Sequence, residues 1–227
     1  MPLPRPRMIL IDLDGTLVDS VPDLAFSVDA MMDELGLPRR GERAVRKWVG
    51  NGVERLVKRA LVNDLDGDPD PELYDRALPA FMRVYQENTS RRSRLYPGVR
   101  EGLDQLQAEG FRLGCVTNKA GRFTLPLLRD KGILDRFSIV VSGDTLEFSK
   151  PHPAPLLHAA AELGVTPGES LMIGDSRSDV KAARAAGFRI VCMSYGYNHG
   201  EDIRAEGPDA VLDRLDELPP LLQPEAA

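Results

Sequence analysis

The chain of 227 residues holds two cysteines, Cys115 and Cys192, each inside a short apolar stretch. That excludes a disulfide framework and reads as two small buried hydrophobes. Its three histidines, His152, His158 and His199, are scattered without metal-ligand spacing. Positive charge is not in excess: Lys and Arg number 29 against 35 Asp and Glu, a formal net charge of -6. The basic footprint of a nucleic-acid binder is therefore missing. A small anion stays possible as a ligand, because one local metal ion and one Lys can outweigh a distant acidic surface. No window approaches the apolar length needed to span a bilayer. The first seven residues are basic, but the apolar run after them is short and leads into Asp12, unlike a signal peptide. The expectation is a cytoplasmic protein with no nucleic-acid and no membrane partner. What remains is ordinary for a folded chain, with 42% hydrophobic and 28% charged residues. The length suits one large domain, or a core with a smaller insert.

Short apolar runs at residues 8–11, 113–117, 139–142, 171–173 and 189–193, with a shorter one at 211–212, read as strands. Helical patterns separate most of them: one around Leu125, Leu127 and Leu128, one over 155–163 ended by Gly164, and one over 180–186 ended by Gly187. This alternation predicts a parallel, doubly wound sheet. Residues 20–93 break the rhythm and contain no convincing strand. Val21, Leu24, Ala25, Val28, Met31, Met32 and Leu35 recur at helical spacing and predict an amphipathic helix over 22–35. Gly36 and Pro38 end it. Further helices are expected over 43–49, 53–62 and 71–87. The expected architecture is α/β: a Rossmann-like three-layer parallel-sheet core, residues 1–19 and 94–227, with an inserted all-helical cap, residues 20–93. Asp64, Asp66 and Asp68 imitate the start of a calcium-binding loop, but Pro69 stands where the sharp turn needs Gly, so a solvated inter-helix loop is expected.

The first strand ends in Asp12-Leu13-Asp14-Gly15-Thr16. In an extended strand, residues i and i+2 share a face, so Asp12 and Asp14 can converge. Like charges that close raise each other's pKa unless a cation neutralises them. The pair is therefore a proton-sharing pair or a site for a hard divalent metal, unless Asp14-Gly15 is merely a turn. Ligands of open α/β sheets bind at the carboxyl ends of the strands. There this sequence places Thr117-Asn118-Lys119, then Lys150, then Gly174-Asp175 with Asp179 four residues on. Singly, Thr117 could cap a helix, Lys150 could be a solvated charge, and Asp179 could sit at a helix N-terminus. Their ordered placement at successive strand ends is what those separate explanations leave out.

With these four motifs the chain resembles the haloacid dehalogenase-like superfamily of phosphatases, from about residue 8 to 218. The resemblance implies a magnesium ion held by the side chains of Asp12 and Asp175 and the backbone carbonyl of Asp14, with Asp179 in support. It implies Asp12 as nucleophile forming an aspartyl-phosphate, and Asp14 as general acid and then base. Thr117 and the Asn118 backbone N–H would hold phosphate oxygens, with Lys150 offsetting charge. Dehalogenases lack an Asp at the second position, so Asp14 favours a phosphate ester.

Several stretches further resemble bacterial phosphoglycolate phosphatases: residues 19–24, 48–52, 116–119 and 195–198. One departure is Ile11, where many relatives carry Phe. This implies a small phosphorylated metabolite, 2-phosphoglycolate, as substrate. If the Gly-rich turn at 48–52 faces the core, Asn51 and adjacent backbone N–H groups are candidates to receive its carboxylate, with Arg46, Lys47 and Arg55 as cationic alternatives. A broad sugar-phosphate phosphatase or hexose-phosphate mutase shares the core motifs, and a receiver-like phospho-acceptor domain is the non-enzymatic alternative. A monomer or small homo-oligomer is expected.

Overall fold

The structure is a computed structural model that describes residues 3–222. In chain order its elements are β1 (Met8–Ile11), β2 (Val18–Asp19), α1 (Val21–Glu34), α2 (Gly41–Trp48), α3 (Gly52–Val62), α4 (Pro71–Asn88), β3 (Arg94–Leu95), α5 (Val99–Ala108), β4 (Arg112–Val116), α6 (Gly121–Asp130), β5 (Ile139–Val141), α7 (Ala154–Glu162), β6 (Ser170–Gly174), α8 (Arg177–Ala186), β7 (Arg189–Met193) and β8 (Ala210–Leu212). Six strands form one parallel sheet in the order β5-β4-β1-β6-β7-β8.

The central strand β1 is apolar at every position because both of its faces are covered. Alternate residues point to opposite sides. Ile9, Ile11, Leu113, Cys115, Leu171 and Ile173 pack with Val99, Leu103 and Leu106 of α5 and with Leu127 and Leu128 of α6. Met8, Leu10, Val116, Met172 and Cys192 pack with Leu156 of α7 and with Val180 and Ala183 of α8. The sheet is thus the middle of three layers, as expected. Both cysteines are free and buried. The register sets Ile11 level with Cys115 on one side and Ile173 on the other. Asp12, Thr117 and Asp175 therefore leave the sheet at one edge.

Between β2 and β3 the chain is helical. Helices α1 to α4 build a separate apolar cluster around Val28, Met31, Met32, Val57 and Phe81, which also takes in Phe123 of α6 and Tyr197 from the loop after β7. In the acidic loop between α3 and α4, Asp68 pairs with Lys58 at 2.9 Å.

Two features were not foreseen. The helix α5 occupies a stretch left unassigned, although Val99, Leu103 and Leu106 do recur at helical spacing. The two-residue strands β2 and β3 pair antiparallel at the base of the helical segment, Asp19 opposite Arg94. Two residues are too few for any periodicity to reveal. Beside that pairing, the buried carboxylate of Asp23 accepts the backbone N–H groups of Arg92, at 2.9 Å, and Ser93, at 2.7 Å, and the Ser93 hydroxyl at 2.6 Å. Both connections of the helical segment are thereby tied together. No helix among the described residues is long and apolar enough to cross a membrane.

Candidate active site

The chain leaves β1 through a tight turn in which the N–H groups of Leu17 and Val18 donate to Leu13 O, at 3.0 and 2.9 Å. Gly15 makes the turn possible. Its φ is +89°, a left-handed conformation that L side chains avoid, and a Cβ there would stand 2.3 Å from Asp175 Oδ2. Gly196 cradles the same carboxylate from the other side, where a Cβ would come within 2.1 Å of Asp175 Cβ.

Around Asp12 the strand ends assemble a buried charged cluster. Carboxylate oxygens of Asp12, Asp175 and Asp179 lie within 4.8 Å of one another. The ammonium of Lys150, itself 3% exposed, lies 2.9 Å from Asp12 Oδ1 and 2.7 Å from Asp179 Oδ1, and donates to Val116 O at 2.7 Å. Asp179, in the first turn of α8, completes a capping box with the N-cap residue Ser176, its Oδ2 accepting from the N–H of Ser176 at 3.0 Å and from its hydroxyl at 2.6 Å. Asp175 accepts from the Thr16 hydroxyl at 2.5 Å and from the Tyr197 N–H at 2.6 Å. Asp12 Oδ1 also accepts the Leu13 N–H at 2.7 Å. Asp12 Oδ2 has no hydrogen-bond partner among the described residues and belongs to a group that lines the cavity.

Burial pushes the Asp12 carboxyl up to about 7, with the Lys150 charge pulling it down and Asp179 pushing it up. Burial likewise holds Asp175 well above the usual range, reinforced by the negative charges of Asp179 and Asp12. Lys150 responds in the opposite sense. Burial works to lower its pKa, but Asp12 and Asp179 together keep it above that of a free lysine. Three carboxylates against one ammonium leave uncompensated negative charge in a buried space lined with hard oxygen donors. That donor set and charge suit a small divalent cation such as magnesium.

The Asp14 side chain turns away from this cluster. Both of its oxygens face Lys119, at 3.0 and 2.9 Å from Nζ. The carboxylate that the sequence reading left free is therefore one half of an ion pair. Lys119 is 6% exposed. Burial opposes its charge, but Asp14 and then Tyr85 outweigh it and its pKa rises. The Tyr85 ring of α4 closes over the ammonium, with its centroid 5.2 Å from Nζ. The sequence places Lys119 at a strand end but assigns it no role, because no local pattern tells that a lysine after Asn118 turns inward.

Thr117 is buried and lines the cavity beside Asp12. The Asn118 side chain acts as a strut. Its amide donates to Lys150 O at 2.8 Å and to Gly50 O at 3.2 Å, and its Oδ1 accepts the Lys150 N–H at 2.9 Å. It joins two core loops to the turn before α3. The cavity over Asp12 is closed from the helical segment by Leu24, Val49, Gly50, Gly52, Val53 and Leu56. Asn51 differs from expectation. It is exposed and lines the neighbouring cavity with Arg59, Asn198 and His199, because its place directly before α3 turns its side chain outward. The proposed cationic alternatives are also engaged elsewhere. Arg46 clamps Asp19 with two contacts of 3.1 Å, Arg55 donates to Leu65 O at 3.0 Å, and Lys47 is exposed. None of the three lines the cavity over Asp12.

The model of the family described as haloacid dehalogenase-like hydrolase matches residues 9–193. A protein from Nitrosococcus oceani named phosphoglycolate phosphatase is 63% identical over 224 residues, covering 99% of this chain and all of that protein. One of the same name from Nitrosospira multiformis is 50% identical over 222 residues, 98% of this chain and 97% of that one. The crystal structure of a predicted phosphoglycolate phosphatase from Haemophilus somnus superimposes with a TM-score of 0.89 at 36% identity, over 95% of this chain and 97% of that one.

Proposed function

The chain belongs to the haloacid dehalogenase-like hydrolases, and from that premise we propose that it is a magnesium-dependent phosphatase that hydrolyses 2-phosphoglycolate to glycolate and phosphate. The observation that carries the phosphoryl-transfer chemistry is the buried cluster of Asp12, Asp175, Asp179 and Lys150 at one sheet edge. A doubly negative phosphate repels a carboxylate nucleophile unless cationic groups surround both. Magnesium held by Asp12, Asp175 and the Asp14 carbonyl would supply the missing positive charge.

In this reading Asp12 attacks phosphorus through the oxygen that has no protein partner. The ester P–O bond breaks as the P–O bond to Asp12 forms, giving an aspartyl-phosphate. Asp14, whose carboxylate lies outside the metal cluster and pairs with Lys119, takes up a proton before turnover and gives it to the leaving alkoxide. It then takes one from the water that hydrolyses the intermediate. Thr117 and the Asn118 N–H hold phosphate oxygens, and Lys150 stabilises the charge passing between Asp12 and the phosphoryl group. Asp179 holds Lys150 in place.

The walls of the cavity favour a small leaving group. Every residue it takes from the helical segment is a glycine or has an apolar side chain. Sugar hydroxyls facing that wall would find no side-chain partner on it, at a cost of about 1–3 kcal/mol each. The curated relatives named phosphoglycolate phosphatase, which match over nearly the whole chain, support the same substrate. The test is released phosphate from the purified enzyme with 2-phosphoglycolate and with a panel of sugar phosphates. The expected kcat/KM is highest for 2-phosphoglycolate. A hexose phosphate hydrolysed as efficiently would refute the assignment.

A further inference from the structure

Two of the residues that line the cavity carry positive charge, Lys150 and Lys119. Lys150 is fully engaged, since its ammonium faces Asp12, Asp179 and Val116 O beneath the position of the phosphoryl group. Lys119 sits on the other side, against Asp14, where the leaving group must lie. An ammonium carries three N–H bonds. The two oxygens of Asp14 account for at most two of them, and the buried Tyr85 hydroxyl lies against the same ammonium. The Tyr85 ring, which does not line the cavity, covers the ammonium with its centroid 5.2 Å from Nζ. A buried ammonium whose one charged partner is Asp14 thus lines the cavity opposite the apolar walls of the helical segment.

The spacing has a chemical meaning. In a phosphorylated α-hydroxy acid, a single carbon separates the ester oxygen from the carboxylate. When Asp14 addresses that ester oxygen, the carboxylate arrives beside the cation bonded to Asp14. We propose that Lys119 is the specificity residue of this site, and that its ammonium selects substrates carrying a carboxylate on the carbon attached to the ester oxygen. This rests on reading the site as a phosphatase for a small ester. The same contact draws the substrate's ester oxygen against Asp14, so one lysine both recognises the leaving group and registers it with the acid.

The experiment compares 2-phosphoglycolate with its neutral carboxamide, 2-phosphoglycolamide, which has the same skeleton. A charge-assisted hydrogen bond lost in a buried site is expected to make the parent enzyme favour the carboxylate by about 10- to 100-fold in kcat/KM. Lys119→Met lowers both activities, because Asp14 loses its partner, but it also brings the ratio to within about threefold of one. The extra loss on 2-phosphoglycolate shows chiefly in KM. Lys119→Arg, which keeps the charge, retains part of the ratio. A Lys119→Met enzyme that loses equally on both substrates overturns the assignment, as it would if Lys119 served Asp14 alone. Lys119→Gln carries the same comparison should the Met variant not fold. A parent ratio near one also overturns it without any variant. A parent enzyme with no turnover of 2-phosphoglycolate refutes the functional reading first, and this assignment with it.

Discussion

Asp12 shows how one residue can be costly to fold and necessary to function. Its carboxylate is buried among two others, and its pKa is lifted to about 7 mainly by desolvation. Replacing it by Asn removes the nucleophile but also removes a buried charge of the sign already in excess. Lys150 keeps its bond to Asp179. Asp12→Asn is therefore expected to lower kcat by at least about 1,000-fold. The metal-free melting temperature should stay at or above that of the parent. Phosphate release and thermal unfolding monitored by circular dichroism check the two halves, and near-parent activity would exclude Asp12 as nucleophile. Asp12, Asp14, Thr117 and Asp175 were legible in the sequence because each stands at or just beyond a strand end, where local pattern and chemistry coincide; Lys150 and Asp179 lie further on, in the loop after β5 and in the first turn of α8. The roles of Lys119 and Thr16 were not legible, since a side chain's partner 105 or 159 residues away leaves no local trace. Asn51 was misplaced for a similar reason. The Gly-rich turn was visible, but the direction of one side chain within it was not.

At the scale of elements, the strands and most helices follow from apolar spacing, and the observed bounds differ from expectation by a few residues at most. The pairing of β2 with β3 was invisible, and it matters for how the helical segment is mounted. Asp23, fully buried at the start of α1, accepts three donors from residues 92 and 93. Truncating it leaves the buried Ser93 N–H without a partner and loosens the part-buried Arg92 N–H. Asp23→Ala is expected to cost about 2–4 kcal/mol of stability. It should also speed tryptic cleavage after Arg91 and Arg92. Denaturant unfolding and limited proteolysis test this, and unchanged cleavage would mean that Asp23 does not hold the connection closed.

For the whole molecule, the decisive quantity is the unbalanced charge at the sheet edge. A carboxyl raised from 3.8 to about 7 binds more protons folded than unfolded between those values. Metal-free stability therefore falls as pH rises through that window. Above about 7, Asp12 is ionised and can accept a cation. Below it, the proton must leave first. A fixed concentration of magnesium chloride is thus expected to raise the melting temperature more at pH 8 than at pH 6. A larger rise at pH 6, or none at either pH, would argue against a divalent site built on Asp12. The formal net charge of -6 is no argument against the proposed phosphate-ester substrate. Surface charges a Debye length or more away are screened, and within the site the positive charge a phosphate ester needs would come from a cation held by Asp12 and Asp175, because Lys119 and Lys150 are already paired with carboxylates.

Apolar periodicity along the chain was enough to establish the three-layer fold, the helical insert and the order in which acidic and basic residues reach the sheet edge. These follow from local spacing, because burial of alternate or every third to fourth residue is written directly into the order of amino acids. Pairings across the chain required the folded molecule: Lys119 with Asp14, Asp23 with the second connection, and Asn118 as the strut to Gly50. Each joins residues 68 to 105 positions apart. Such contacts depend on strand register, on the turn that Gly15 permits and on where the helical segment comes to rest, none of which leaves a repeat to be read in sequence.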